Sequence, residues 1–152
     1  MTEPVSNASP LIALQQIGQL HILHLLFGEV LIPDAVRHEI APSVALPEWV
    51  HTQALAYPID RVVQEAALGR GETEAISLSL ELGNRLLILD ERAGRRLAKR
   101  LGLSAIGTLG VLLAAKKRGH IQELKPHLEA LQRHDFRISR DLHRSVLQSA
   151  NE

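Results

Sequence analysis

No cysteine occurs in the 152 residues, which removes a disulfide framework, a thiolate metal site and a cysteine nucleophile together. Aromatic residues are scarce at 3%, so the core must be aliphatic. The single Trp49 and single Tyr57 offer little surface for stacking successive bases. No apolar run reaches the ~20 residues that cross a bilayer. The start, Met1-Thr2-Glu3-Pro4, has no basic leader character, and a cytoplasmic protein is expected. Net charge is also lacking, because 17 Lys and Arg offset 17 Asp and Glu. The charges are not evenly spread, however. Residues 1–84 hold 3 basic against 10 acidic side chains, and residues 85–152 hold 14 against 7. An acidic pocket beside a basic surface suits a metal site that handles polyanions, although two halves neutralising each other across a core would give the same count.

What is present is the composition of one globular domain over 1–152, with 45% hydrophobic and 22% charged residues. Its most informative stretch is Arg85-Leu86-Leu87-Ile88-Leu89-Asp90. Four branched apolar residues after Gly83-Asn84 read as a strand covered on both faces, with Asp90 at its carboxyl end. Ligands bind beyond the carboxyl ends of such strands. Asp is equally suited to capping the helix that follows.

The other elements alternate around this strand. Pro4 to Asn7 reads as the first strand. Ser9-Pro10 opens a helix that ends at Gly18, with Asn7 between the two. Leu20 to Phe27 is a second helix carrying His21 and His24, read as partly buried surface histidines because no third ligand is near. Glu29 to Ile32 is a strand, and Asp34 to Ala41 a helix with Glu39 in its last turn, where the macrodipole disfavours an acid. Pro42 to Pro58 has three prolines and reads as a loop with a short strand or helix. A helix from Asp60 to Leu68 is broken by Gly69-Arg70-Gly71, and Glu72 to Leu82 follows with Glu72 and Glu74 in its first turn. Acids favour a first turn, which is sufficient structural reason for both.

Arg92 to Leu101 is a helix with a basic outer face. Ala105 to Thr108 is a brief strand, and Leu109 to Lys117, Ile121 to Leu131 and Ser139 to Leu147 are helices, the last (139–148) expected at the periphery. His120, His127 and His134 are read as a solvated stripe. Alternating strands and helices predict an α/β three-layer sandwich, with a central parallel sheet of four to five strands flanked by helices.

Five segments, taken in order, carry a resemblance. They are Val5-Ser6-Asn7-Ala8-Ser9-Pro10-Leu11-Ile12, Ile32-Pro33-Asp34-Ala35-Val36 with Glu39, Leu68-Gly69-Arg70-Gly71-Glu72-Thr73-Glu74-Ala75-Ile76, Leu87-Ile88-Leu89-Asp90, and Ile106-Gly107-Thr108-Leu109-Gly110-Val111-Leu112. Over nearly its whole length the chain resembles the PIN-domain superfamily, in a prokaryotic branch of predicted nucleic-acid-binding proteins related to VapC-type toxin ribonucleases.

That resemblance implies carboxylates gathered at strand ends around Mg²⁺ or Mn²⁺ to hydrolyse RNA. Its ligand set falls on Asn7, Glu39, Glu72 and Asp90, with Glu39, Glu72 and Asp90 catalytic and with Glu74 and Thr108 supporting them. Glu72 is preferred to Glu74 because the family pattern sets its acid eleven residues before a helix-ending glycine, here Gly83. Hard oxygen donors suit such ions. The first position is usually Asp, and Asn7 offers an oxygen without charge.

Arg92 and Arg95, beside Asp90, are candidate contacts for the RNA backbone, with simple solvation of an Arg-rich helix as the structural alternative. The implied function is a toxin ribonuclease, with a homodimer and an antitoxin protein as partners. The alternative is a PIN-like module that binds RNA or protein without cutting. A phospho-acceptor receiver also has Asp and Thr at strand ends, but it needs an acid pair at the first strand, where this chain has only Asn7.

Overall fold

A computed structural model describes residues 2–152. Five short strands form one sheet, each two or three residues long: β1 (Val5–Ser6), β2 (Val30–Ile32), β3 (Val50–Thr52), β4 (Leu87–Ile88) and β5 (Ala105–Ile106). All pairings are parallel, and the spatial order is β3-β2-β1-β4-β5. The chain runs outward from β1 through β2 to β3, then crosses to β4 on the other side of β1. The switch point of the topology thus falls between β1 and β4, where an open parallel sheet parts at its carboxyl edge to form a crevice.

The helices are α1 (Ala8–Gln16), α2 (His21–Phe27), α3 (Asp34–Ile40), α4 (Arg61–Glu65), α5 (Arg70–Glu81), α6 (Arg92–Arg100), α7 (Thr108–Lys117), α8 (Lys125–Arg133) and α9 (Arg140–Ser149). They cover the sheet on both faces because successive strand residues point to opposite sides. Val30, Ile32 and Ile88 enter a core with Leu11, Leu14, Ile22, Val36 and Leu112. Val5, Leu31, Leu87 and Leu89 enter a second core with Val63, Ile76, Leu78 and Leu97. This is the three-layer parallel α/β arrangement expected, with five strands. Among the described residues no helix is long and apolar enough to cross a membrane.

Several boundaries differ from the sequence reading, each for a local reason. Helix α1 starts at Ala8 with Asn7 in the capping position, ahead of Ser9-Pro10. The break expected at Gly69-Arg70-Gly71 falls earlier: α4 ends at Glu65, Gly69 caps α5, and Arg70 and Gly71 are the first two residues of α5. Thr108 is the first residue of α7, not the end of a strand. In the prolines' stretch, β3 pairs with β2 through Val30↔Val50 to Ile32↔Thr52. His21 and His24 are exposed, with His24 stacked on Trp49 at 5.3 Å between ring centres. The three histidines spaced by seven share no helix, since only His127 lies on α8, half-buried and with burial pushing its imidazole pKa down.

The late start of α8 has a cause far along the chain. Glu152 accepts hydrogen bonds from the amides of Leu124 (2.6 Å) and Lys125 (3.2 Å), and it pairs with Lys116 at 3.2 Å. A carboxylate there satisfies amides that the helix itself leaves free. These amides, foremost that of Leu124, together with Lys116 hold the Glu152 pKa below its ordinary value. A lowered carboxylate pKa stabilises the fold above the unfolded-state value and loses that contribution as pH falls through the folded-state value. Glu152→Gln is therefore expected to lower the thermal midpoint by roughly 2–4 °C at pH 7. The difference from the parent protein should shrink in melts taken at progressively lower pH, below the unfolded-state value, and a difference unchanged by pH would contradict the assignment.

Candidate functional site

The carboxyl ends of β1 and β4 deliver the first two site residues. Asn7 follows β1, its amide donating to the Ile88 carbonyl at 2.9 Å, and Asp90 follows β4 by two residues. Asn is among the best helix N-caps, and Asn7 sits at the capping position of α1. Yet its side chain makes no cap hydrogen bond. The residue is 5% exposed, and its Oδ1 has no hydrogen-bond partner. An unpaired buried oxygen costs about 1–3 kcal/mol, so this one is held against its own preference.

Glu39 meets Asn7 at Gly71. A methyl group placed on Gly71 would collide with Glu39 Oε1 and stand 3.1 Å from Asn7 Oδ1. The absent side chain of this glycine is what lets α3 and the end of β1 bring their oxygens together against the start of α5. Gly is worth about 1 kcal/mol less than Ala in a helix interior, and the close approach explains its presence at the start of α5.

Glu72 follows Gly71 by one residue. Its Oε2 is the other buried side-chain oxygen without a partner among the described residues. It lies over Gly94 of α6, where a methyl group would stand 3.3 Å from it. Burial, then the charge of Glu91, then that of Glu39 push the Glu72 carboxyl pKa above its ordinary value. Glu91, not singled out from the sequence, thus lies near enough to Glu72 for its charge to act on it. Only knowledge of the α6 start, where Glu91 occupies the cap position, would have revealed it.

Asp90 belongs to an adjoining arrangement. Its Oδ1 accepts from the Thr108 amide and its Oδ2 from the Thr108 hydroxyl, both at 2.7 Å. It therefore does not cap α6, the helix that follows it, and instead binds the first amide of α7. Arg95 donates to the Leu89 carbonyl at 3.3 Å. A methyl group on Gly107 would stand 2.6 Å from Arg95 Nη1 and 2.8 Å from Asp90 Oδ1. Arg92, Arg95 and Asp90 line a cleft in which Asn7, Glu39 and Glu72 have no part.

Glu74 is turned from the oxygens and toward α3. It accepts from the Ala35 amide at 3.0 Å, an unsatisfied first-turn amide of α3, and pairs with Arg70 at 3.4 Å. This ties α5 to the helix that carries Glu39. The structure thus brings Asn7 and Glu39 together at Gly71, with Glu72 the next residue along α5, sets Asp90 and Thr108 together at the neighbouring strand end, and uses Glu74 to dock α3.

Among the described residues no three His, Asp or Glu side chains converge closely enough to hold an ion. That count omits the Asn7 amide, which adjoins Glu39. Oxygen-only donors, two of them buried and without partners, fit a hard divalent cation. Asn7, Glu39 and Glu72 are the residues that would hold it.

The family DUF3368, described as a PIN domain, matches the chain over residues 3–152. No curated protein and no solved structure matches it.

Gly71→Ala tests the convergence. At a helix position free of neighbours this change stabilises by roughly 0.4–1 kcal/mol. Here the new methyl group must displace Glu39, so we expect a lower thermal midpoint in metal-free buffer and loss of any midpoint rise on adding Mn²⁺. A more stable variant with an unchanged Mn²⁺ response would show that Glu39 and Asn7 do not meet at this glycine.

Proposed function

Since the chain belongs to DUF3368, a PIN-domain family, we propose that it is a divalent-metal-dependent endoribonuclease, the toxin component of a toxin–antitoxin pair. The observation that carries the nuclease reading is the pair of buried oxygens without partners, Asn7 Oδ1 and Glu72 Oε2. They lie at the carboxyl edge of a parallel sheet, with Glu39 beside one and its charge acting on the other. The toxin role, the antitoxin partner and a homodimer are supported by resemblance in the five sequence segments.

Bound Mg²⁺ or Mn²⁺ would supply positive charge against the phosphodiester and acidify the attacking water. The chain's own residues do the placing. Asn7 and Glu39 present oxygens across Gly71, and Glu72 adds a carboxylate from the first turn of α5. Thr108 fixes both oxygens of Asp90, so that its charge faces the strand ends in one orientation. Arg92 and Arg95 stand exposed on α6 next to Asp90, where they would receive the RNA backbone and draw it across the sheet edge.

A second reading, a PIN-like module that binds RNA or a protein without cutting, is favoured by one observation. Asn7 brings no charge to a position where Asp is usual, and a ligand set with less charge holds a cation less tightly.

Cleavage of single-stranded RNA with Mn²⁺ separates the two. The parent protein is expected to cut, while Glu72→Gln and Asp90→Ala lose activity by about 100-fold or more. Asn7→Asp should bind Mn²⁺ more tightly in calorimetry. Metal-independent cutting, or full activity in Glu72→Gln, would overturn the nuclease reading. RNA binding without cutting in the parent protein, with cleavage gained in Asn7→Asp, would establish the second.

A further inference from the structure

A cleft of about 920 Å³ opens along the free edge of β5. β5 is hydrogen-bonded to β4 alone, and its residues Ala105 and Ile106 line the cleft. The two sides of this edge differ sharply. Toward α6 stand Arg92, Arg95, Arg96 and Lys99, joined by Arg137, and none of the five pairs with a carboxylate among the described residues. Toward α7 and α9 stand Leu109, Leu113, Phe136, Leu142 and Val146. Leu142 is 44% exposed on α9. The one acid in the lining, Asp90, has both oxygens taken by Thr108.

The difference between the two walls follows the layers of the fold. Leu97 and Ala98 of α6 belong to one core, and Val111 and Leu112 of α7 and Val146 of α9 belong to the other. An extended segment laid beside β5 would therefore send alternate side chains to opposite walls. One set would meet unpaired cations and the other an aliphatic surface.

We propose that this cleft docks an extended peptide segment of a partner protein in which acidic residues alternate with Val, Ile or Leu. Addition of a strand to an open sheet edge supplies backbone hydrogen bonds, and the two walls supply the side-chain selection. A polynucleotide matches only half of the surface. It would use the cations, but five apolar side chains with the lone aromatic Phe136 give bases no series of stacking platforms. The cleft shares Asp90, Arg92 and Arg95 with the nuclease reading but contains neither Asn7, Glu39 nor Glu72, so docking here can be tested without the proposed cation site. An occupant would nonetheless cover Arg92, Arg95 and Asp90.

The test uses the full chain and a fluorescent synthetic peptide of alternating Glu and Val, with a Lys and Val peptide and a single-stranded oligouridylate as comparisons. Binding is read by anisotropy. The Glu and Val peptide is expected to bind, to protect the Ala105 amide from hydrogen exchange, and to weaken by about tenfold or more in Leu142→Asp and in Lys99→Glu. Both positions are exposed on helices, and thermal melts establish that the variants fold. Oligouridylate binding should respond to Lys99→Glu and not to Leu142→Asp. The proposal is overturned if the Glu and Val peptide fails to bind, binds equally to both variants, or is matched by the Lys and Val peptide. It is also overturned if the oligouridylate alone binds and Leu142→Asp weakens it, which would make the cleft a nucleic-acid track. None of these outcomes depends on Mn²⁺ or on Glu72, so the nuclease reading stands or falls elsewhere.

Discussion

Two buried oxygens without hydrogen-bond partners, one amide and one carboxylate, set the terms for the architecture around them. Each costs on the order of 1–3 kcal/mol when left unpaired, and each is flanked by a glycine whose missing methyl group makes the room. Gly71 admits Glu39 beside Asn7, and Gly94 admits Glu72 against α6. A chain shaped by packing alone would relieve the first by one rotation of Asn7 into its own helix cap. That it does not do so marks Asn7 as a place where local stability is given up.

The sheet makes this concentration possible at little cost in length. Strands of two or three residues suffice because both faces are covered and their side chains alternate between two cores. The switch between β1 and β4 then puts Asn7 and Asp90 on neighbouring strand ends. Helix α5 packs on β1 and β4 and against α3, and α6 and α7 pack against β5. Local clamps hold these helices in place: Glu74 on the first turn of α3, and Thr108 on both oxygens of Asp90. The acidic half of the sequence thus supplies Glu39 and Glu72, and the basic half supplies the α6 surface next to Asp90. The uneven charge distribution reflects two sides of one edge.

Much of this was legible in the sequence where residue type and periodicity agreed. Leu86 to Leu89 had to be a buried strand, and Glu39 was already odd at a helix carboxyl end. Other features were hidden because their causes are distant along the chain. β3 shows one buried residue in three, too weak a pattern to separate from a loop. Gly69-Arg70-Gly71 has the composition of a breaker, and only the contact with Glu39 and Asn7, 32 and 64 residues away, explains glycine inside a helix. The partnership of Asp90 with Thr108 depends on the β4 to β5 register, and the start of α8 depends on Glu152. Glu91 carried no signal of its own in the sequence, because its nearness to Glu72 requires the packing of α6 on α5.

The central claim is that Asn7 and Glu39 form one half of a cation site whose other half is Glu72. Diffraction from crystals soaked in Mn²⁺, recorded at a wavelength where manganese scatters anomalously, tests it most directly. The account predicts a peak at about 2 Å from Asn7 Oδ1 and from a Glu39 oxygen, with Glu72 turned toward it. A fully occupied Mn²⁺ bound elsewhere, with Asn7 Oδ1 still buried and without a ligand, would contradict it.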